Sequence, residues 1–362
     1  MPDLSREKLE SYLSNLLGTP VKVLGLSHLG EQIPTGAIKG FGYGTPVLVE
    51  YETGGQRYNA VLETVSEGPF GHEHMSDRAQ MLLWDYDAFK RLPRHTRSID
   101  VGAFLSEGSL LSLGNAKEFF LLNEYVEGKG YIYDLARLQS GGRLSDLDLS
   151  RADALCDYLV DVHSVRGPDP GLYTRRIREL LGHGECIMGL VDSYPPRLGF
   201  ITPDLLRSIE HRCVDWRWRL KGRTHRLRRV HGDFHPFNIL FREGTDFSVL
   251  DRSRGEWGDP ADDVTSLTGN YLFYSLQRAG RLEGAFETLF NRFWDRYLRK
   301  SGDVEILEVA APFYAFRCLV MASPLWYPTL SDDVRKKLFT FLQAVLDAGS
   351  FDPALVDSYC NA

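Results

Sequence analysis

The chain has 362 residues, of which 43% are hydrophobic and 25% are charged, and its formal net charge is -7 at pH 7. The length suits about two domains of an ordinary globular protein. The negative charge argues against a nucleic-acid partner, because binding to a phosphate backbone depends on Lys and Arg. No stretch reaches the roughly 18 apolar residues of a membrane span, and the first residues lack a signal-peptide pattern. Five widely spaced cysteines without a CxxC pair indicate a reduced, cytoplasmic protein.

Strand patterns dominate the first part of the chain. An amphipathic helix is predicted over residues 5–17, because Tyr12 and the leucines around it recur on one face. Alternating apolar residues then predict strands at 21–29, 45–53 and 57–65. Gly54 and Gly55 join the last two strands in a hairpin.

A second helix and two more strand patterns follow. Ser76 is predicted to cap a helix that runs over residues 77–92 and stops at Pro93. Residues 98–107 and 118–126 are apolar enough to form strands.

The character of the chain changes near residue 127. Residues 129–229 and 261–348 have mostly helical patterns, interrupted by the short strands NILF and FSVLD. We therefore predict an α+β fold with a strand-rich N-terminal lobe, residues 1–126, and a larger helical C-terminal lobe, residues 127–362.

The stretch HGDFHPFNILF (231–241) and the following VLDRSRGEWGDPADD concentrate polar groups beside an apolar strand. Asp233 and Asn238 lie on a predicted loop, and Asp251 ends the next strand, so the three should meet at one end of a hairpin. Carboxylate and amide oxygens suit Mg²⁺, and an aspartate beside a metal site can accept a proton from a hydroxyl. Turn chemistry explains any one of these residues, but phosphoryl transfer needs this combination of a base and two metal ligands.

These segments resemble the catalytic and metal-binding segments of the aminoglycoside phosphotransferase and choline kinase family, which is related to protein kinases. The resemblance implies a protein-kinase-like, two-lobed fold and transfer of the terminal phosphoryl group of ATP or GTP to a hydroxyl of a small molecule. It makes Asp233 the catalytic base and Asn238 a Mg²⁺ ligand. Asp251 takes the place of the other metal-binding aspartate, which opens the DFG motif in protein kinases.

Further residues of the motif are expected to support the loop. By the resemblance, Asp259 and Asp262 match the GDPxxD continuation and brace the loop and the next helix. His231 and His235 are interpreted as holding the loop through hydrogen bonds, and His163 as packing beneath it.

The resemblance also assigns residues to the nucleotide. The stretch EFFLLNEYVEG (118–128) resembles the hinge, whose backbone from Glu124 to Val126 would bind an adenine edge. The loop KGFGYGT brings three glycines before a strand, which suits a phosphate-covering loop about as well as a simple bend: Gly40, Gly42 and Gly44.

One position departs from the family pattern. Glu63 stands where the family has a lysine that contacts the phosphates, and a carboxylate repels a triphosphate. Arg78 on the following helix is a candidate to pair with Glu63 and to present its guanidinium to the phosphates; Lys39 is another candidate cation.

Two alternative functions stay open. A pseudokinase-like binding or regulatory protein would have lost phosphate affinity through Glu63, while Asp233, Asn238 and Asp251 argue for an enzyme. A protein kinase is less consistent with the sequence, because HGDFHPFN replaces HRDLxxxN and no APE segment follows Asp251. The acceptor and the oligomeric state are not determined by the sequence.

Overall fold

The computed structural model describes residues 4–29, 44 and 46–362. The chain divides into two compact units, Met1–Asn123 and Glu124–Ala362. Strands are prominent in the first unit and helices in the second, which confirms the predicted α+β class. None of the helices in the described ranges has the length and hydropathy that crossing a membrane requires.

The first unit is built on an antiparallel sheet in the order β1-β2-β3. The apolar face of α1 packs on this sheet, so that Leu9 and Leu13 join Val23 and Val49 in a small core. The helices and strands of this unit are α1 (Arg6–Leu17), β1 (Val21–His28), β2 (Val47–Thr53), β3 (Gln56–Leu62), α2 (Met75–Ala88), β4 (Gly102–Phe104) and β5 (Leu110–Ser112). A 3₁₀ turn at Phe89–Arg91 follows α2.

Two predictions for this unit are wrong in detail. The helix α2 begins earlier than predicted, because His74 and not Ser76 occupies the N-cap, in a capping box with Asp77. Residues 118–126 form no strand. Apolar composition gives strand propensity, but a strand also needs a neighbour to pair its backbone groups, and in the described parts of the chain this segment has none.

The second unit is built around its helix α8 (Pro260–Ala279), whose residues from Pro260 to Leu276 are all buried. Burial on every side explains why its apolar residues show no single face. The helices of this unit are α3 (Tyr131–Gln139), α4 (Asp146–His163), α5 (Gly171–Gly182), α6 (Ile187–Ser193), α7 (Pro203–Leu220), α8 (Pro260–Ala279), α9 (Gly284–Ser301), α10 (Ile306–Ala322), α11 (Asp332–Asp347) and α12 (Val356–Cys360).

Short strands between α7 and α8 carry the predicted motif. In the sheet β6-β8-β9 the hairpin of β8 and β9 pairs Ile239 with Val249, so residues 238 and 250 are neighbours at its open end. A second pair, β7 with β10, joins Arg229 to Trp257 and encloses the same segment. The strands are β6 (Lys129–Gly130), β7 (Arg228–Arg229), β8 (Ile239–Phe241), β9 (Phe247–Val249) and β10 (Trp257–Gly258).

Candidate active site

The loop between β7 and β8, residues 230–238, is anchored by a buried carboxylate on α8. Asp263 is fully buried and accepts hydrogen bonds from the backbone N–H of His231 at 2.8 Å and of Gly232 at 2.7 Å. It also accepts one from His163 Nε2 at 3.0 Å. Burial opposes ionisation, but the hydrogen bond and charge of His163, with the hydrogen bond from the backbone N–H of His231, hold the pKa of Asp263 below its ordinary value. We call residues 230–238 the catalytic loop.

This contact corrects one expectation from the sequence. Counted from Gly258, the GDPxxD pattern ends on Asp263 rather than Asp262, and Asp263 is the residue that braces the catalytic loop. His163 reaches the loop through Asp263, and its other nitrogen, Nδ1, lies 2.8 Å from the Tyr297 hydroxyl.

Asp233 and Asn238 are brought together within the catalytic loop. Asn238 Nδ2 donates to the backbone carbonyl of Asp233 at 3.1 Å, and its backbone N–H donates to His235 O at 2.9 Å. The amide nitrogen is therefore committed to the loop, whereas Oδ1 accepts no hydrogen bond from the residues that the structure describes. A side-chain oxygen held in this way is free to bind a cation.

The carboxylate of Asp233 lies among positive charges. Arg317 Nη1 donates to Oδ1 at 2.6 Å, Arg254 Nη1 lies 3.6 Å from the same oxygen, and His235 Nε2 lies 3.4 Å from Oδ2. Burial opposes ionisation of Asp233, but the charge of Arg317 and the contacts with His235 and Arg254 outweigh it and hold the pKa far below its ordinary value. Asp233 is therefore ionised throughout the physiological pH range.

The two histidines of the loop have structural partners. Burial lowers the pKa of His231 and favours its neutral form, and its Nδ1 accepts the backbone N–H of Asp233 at 3.3 Å. His235 Nδ1 accepts the backbone N–H of Phe237 at 3.2 Å. In the neutral form each ring then carries its proton on Nε2, and for His235 that nitrogen faces Asp233.

Asp251 follows β9 at the open end of the hairpin, the end where Asn238 precedes β8. Its side chain is exposed and forms no hydrogen bond or ion pair with the described residues. Its backbone has φ 55°, the left-handed region, which costs about 1–2 kcal/mol for most residues and is tolerated best by Gly, Asn and Asp. A carboxylate without an internal partner is held at the hairpin end where Asn238 presents Oδ1.

The donor set fits Mg²⁺. Asp251 and Asn238 offer oxygen ligands, and Mg²⁺ is held by one or two such groups together with waters and phosphate oxygens rather than by a complete protein cage. Among residues 4–29, 44 and 46–362, no cluster of three or more His, Cys, Asp or Glu side chains suited to a metal occurs.

Two buried arginines bond Asp262 behind the catalytic loop, and the sequence analysis did not identify either. Arg317 on α10 also donates to Gly232 O at 3.1 Å and to Asp262 Oδ1 at 2.8 Å. Arg176 on α5 donates to Asp262 Oδ2 at 2.7 Å. A usable signal for Arg317 was present, because it is the one cation within the apolar run VAAPFYAFRCLVMA (309–322), and a buried cation requires a carboxylate partner.

Asp259 supports the start of α8, as expected. It caps the helix through Ala261 N at 2.9 Å and receives two bonds from Arg226, at 2.8 and 2.9 Å, and one from the Tyr173 hydroxyl at 2.8 Å. Burial opposes its ionisation, but the Arg226 charge lowers the pKa of Asp259 below its ordinary value. This residue stabilises the fold around the site and has no free oxygen for a substrate.

The residues predicted for the nucleotide phosphates are located only in part. Gly40, Gly42 and Lys39 lie outside the described residues. A Cβ on Gly44 would come within 2.1 Å of Thr64 O, so a close backbone approach requires glycine there.

The predicted pair of Glu63 and Arg78 is not formed. Glu63 is exposed and lies one residue past the end of β3. Arg78, in the first turn of α2, donates its Nη1 to the backbone carbonyl of His72 at 2.9 Å. The reason is local, since a long side chain at a helix N-terminus reaches the carbonyls of the segment before it. Glu124 and Val126 lie in the segment without strand structure, where Glu124 is exposed and Val126 partly buried.

Comparisons with known proteins identify a family. Residues 108–298, which are 191 of the 362 residues, match the model of the phosphotransferase enzyme family, APH. No curated protein sequence matches the chain.

Solved structures with a similar fold have low sequence identity. Amicoumacin kinase hAmiN, in complex with AMP-PNP, Ca2+ and Ami, is 15% identical, with 93% of this chain and 91% of that chain covered and a TM-score of 0.42. A glucosamine kinase is 16% identical, with 94% and 90% covered and a TM-score of 0.35. Choline kinase LicA from Streptococcus pneumoniae is 13% identical, with 94% and 98% covered and a TM-score of 0.34.

Proposed function

Since the chain belongs to the phosphotransferase enzyme family, we propose that it transfers the terminal phosphoryl group of ATP or GTP to a hydroxyl of a small molecule, with Mg²⁺. The observation that carries this proposal is the arrangement of Asp233 and Asn238 in one loop, with Asp251 on the other strand at the same open end of the adjoining hairpin. These residues supply the base and the two oxygen ligands that phosphoryl transfer requires.

In the proposed reaction Asp233 orients the acceptor. Its Oδ2 accepts a hydrogen bond from the acceptor hydroxyl, whose oxygen bonds to the γ-phosphorus while the bond from that phosphorus to the β–γ bridging oxygen breaks. The nucleoside diphosphate leaves, and the hydroxyl proton passes through Asp233 to solvent. A carboxylate with a depressed pKa is a weak base, which suits a loose transition state in which the proton leaves late.

The proposal assigns the metal to Asn238 Oδ1 and the Asp251 carboxylate. Asn238 and Asp251 would hold the ion there, and its positive charge would offset part of the negative charge of the phosphates. Contacts with the nucleotide through Glu124, Val126, Gly40, Gly42, Gly44 and Arg78 stay predictions from the family resemblance.

The alternative function is a pseudokinase-like binding protein. Glu63 favours it, since this exposed carboxylate has no cation partner among the described residues. Against it stand the free Asn238 oxygen and the unpaired Asp251, which a protein without metal binding has no need to keep.

The first test combines binding and turnover. Melting of the protein with ATP or GTP, with and without Mg²⁺, detects binding, because a ligand at a hundredfold excess over its Kd stabilises the native state by about 2.7 kcal/mol. Release of nucleoside diphosphate is then measured with pools of sugars, amino sugars and amino alcohols. We expect a Mg²⁺-dependent rise in Tm and acceptor-dependent release.

Matched variants connect these signals to the site. Asp251→Asn should abolish the Mg²⁺-dependent part of the Tm rise, and Asp233→Asn should keep that rise but lower kcat at least about 10²-fold, the lower end of what general bases contribute. Asp246→Asn is the control, because Asp246 is an exposed aspartate at the turn of the same hairpin, paired with Arg242. A wild-type protein with no shift and no release would favour the pseudokinase-like alternative.

A further inference from the structure

Arg317 is a charged residue inside an apolar helix. It lies on α10 with 5% of its surface exposed, among neighbours such as Phe316 and Leu319 that are also buried. Burying a guanidinium costs several kcal/mol unless its N–H groups are paired. The hydrogen bonds that Arg317 makes therefore indicate its role.

Neutralising Asp262 does not explain Arg317. Asp262 is already paired with Arg176 Nη2 at 2.7 Å, so a second arginine on the same carboxylate is in excess. The bonds that Arg317 alone supplies are those to the catalytic loop, to Asp233 Oδ1 at 2.6 Å and to Gly232 O at 3.1 Å.

These bonds fix the loop at the residue where it turns. Gly232 has φ +85°, in the left-handed region. Its N–H is held by Asp263 at 2.7 Å and its carbonyl by Arg317 at 3.1 Å. The peptide groups that lead into Asp233 are thus clamped between α8 and α10, and the Asp233 side chain is held from α10 as well.

The same bond makes the two oxygens of Asp233 unequal. Oδ1 is occupied by Arg317 and has Arg254 at 3.6 Å, whereas Oδ2 has only the longer contact with His235 Nε2, 3.4 Å, among the described residues. One oxygen is committed to the protein and the other remains to accept a hydrogen bond.

We propose that Arg317 is a positioning residue for Asp233: it occupies Oδ1, fixes the orientation of the carboxylate and so assigns Oδ2 to the acceptor hydroxyl. This inference rests on the proposed phosphoryl transfer. The planar guanidinium is needed because it bonds Asp233 and Asp262 at once through different nitrogens, which the single ammonium of a lysine cannot do with the same geometry.

The test compares Arg317→Met, Arg317→Lys and the control Arg176→Met. Arg176 is a matched control, because it is a buried arginine bonded to Asp262 and makes no bond to Asp233. For each variant, kcat and the KM values for nucleotide and acceptor are measured at neutral pH with the acceptor found in the screen, and nucleotide binding is followed by melting with Mg²⁺. The Asp233 carboxyl is followed at the same pH by ¹³C NMR of protein labelled at the Asp side-chain carbons, with its signal assigned from Asp233→Asn.

We expect Arg317→Met to lower kcat about 10²-fold, in the range lost when a general base no longer works, with KM for the nucleotide unchanged. Its Asp233 ¹³C signal should differ from that of wild type, since Oδ1 has lost the hydrogen bond from Arg317 Nη1. Arg317→Lys should lose about 10-fold in kcat, because it restores a donor without the fork. Arg176→Met should keep the wild-type Asp233 signal and a kcat well above that of Arg317→Met.

Equal kcat values and equal Asp233 signals in Arg317→Met and Arg176→Met would overturn the positioning role. If Arg317→Met does not fold, Arg317→Lys decides, and a kcat within twofold of wild type overturns the proposal. A wild-type protein without turnover refutes the proposed function, and the positioning role with it. Wild-type turnover with an unchanged Arg317→Met refutes the positioning role alone.

Discussion

Asp263→Asn should destabilise the second unit, because an amide cannot make all the bonds of the carboxylate. Asp263 accepts three hydrogen bonds, from His231 N, Gly232 N and His163 Nε2, at 2.8, 2.7 and 3.0 Å. In asparagine only one side-chain atom accepts. The best orientation places that oxygen at the Oδ2 position, where it keeps the bonds to His231 and His163, and turns the NH₂ group toward the N–H of Gly232.

The magnitude follows from these contacts. A buried N–H without an acceptor costs about 1–3 kcal/mol, and a bond to a neutral acceptor stabilises by about 1 kcal/mol less than a bond to a charged one. One orphaned N–H and two weakened bonds give about 3–5 kcal/mol, and removing the desolvation cost of the Asp263 charge offsets part of it. We expect a loss of about 3 kcal/mol in the free energy of unfolding at pH 7.

The loss should depend on pH. The pKa of Asp263 is lowered in the folded state, so its contribution is fully present above the ordinary Asp pKa of about 3.9 and is lost as the pH falls toward the folded value. The difference between wild type and Asp263→Asn should therefore be largest near neutral pH and shrink below about pH 4.

Urea unfolding followed by tryptophan fluorescence measures the change, and amide hydrogen exchange of a peptide covering residues 230–235 localises it. Asp161→Asn is the control, since Asp161 is an exposed aspartate on α4. A stability of Asp263→Asn within 0.5 kcal/mol of wild type, about the size of ordinary surface effects, with unchanged exchange at His231 and Gly232 would refute the role of Asp263 as anchor of the catalytic loop.

Two smaller predictions contrast with this one. Asp157 pairs with Arg296 and Lys300 between α4 and α9, and although the hydrogen bond from Arg296 lowers the pKa of Asp157 to about 2, both Asp157 and Arg296 remain partly exposed. Asp157→Asn should therefore cost at most about 1 kcal/mol in urea unfolding; a loss as large as that of Asp263→Asn would contradict this. The cysteines are all buried and free, and burial raises the pKa of Cys156 and of Cys213 to about 12, so Ellman's reagent at pH 8 should react with none of them in the native protein and with all five after unfolding.

The hairpin that carries the site could be predicted because its signals are local. Asp233, Asn238 and Asp251 flank two short apolar strands, and the pairing of Ile239 with Val249 then brings the ends together. No distant contact is needed for that step, so spacing along the chain was sufficient.

What the sequence did not reveal depends on distant contacts. Arg317 and Asp233 are 84 residues apart, and no spacing rule connects α10 to the catalytic loop. The strand predicted at 118–126 was wrong for a related reason, because a strand forms only where a second segment pairs with it. The sequence motif alone did not decide whether Asp262 or Asp263 braces the catalytic loop. The hydrogen bonds from the backbone N–H groups of His231 and Gly232 show that it is Asp263.

The carboxylates of the site differ in whether the protein satisfies them. Asp259, Asp262 and Asp263 are buried. Asp259 pairs with Arg226, and Asp263 pairs with His163. Asp262 pairs with both Arg176 and Arg317. An unpaired carboxylate at those depths would cost several kcal/mol, so their partners are a condition of folding.

Asp251 is the exception, because it has no partner in the described chain and remains exposed. Its carboxylate avoids the cost of desolvation by staying in water, at the price of a left-handed backbone. Asn238 likewise has a side-chain oxygen without a partner in the described chain. Its side-chain nitrogen donates a hydrogen bond to the catalytic loop, and its Oδ1 accepts none. Oxygens that the fold does not use for its own stability lie at the open end of one hairpin, one on each strand, which is the arrangement that a divalent cation with bound phosphate would complete.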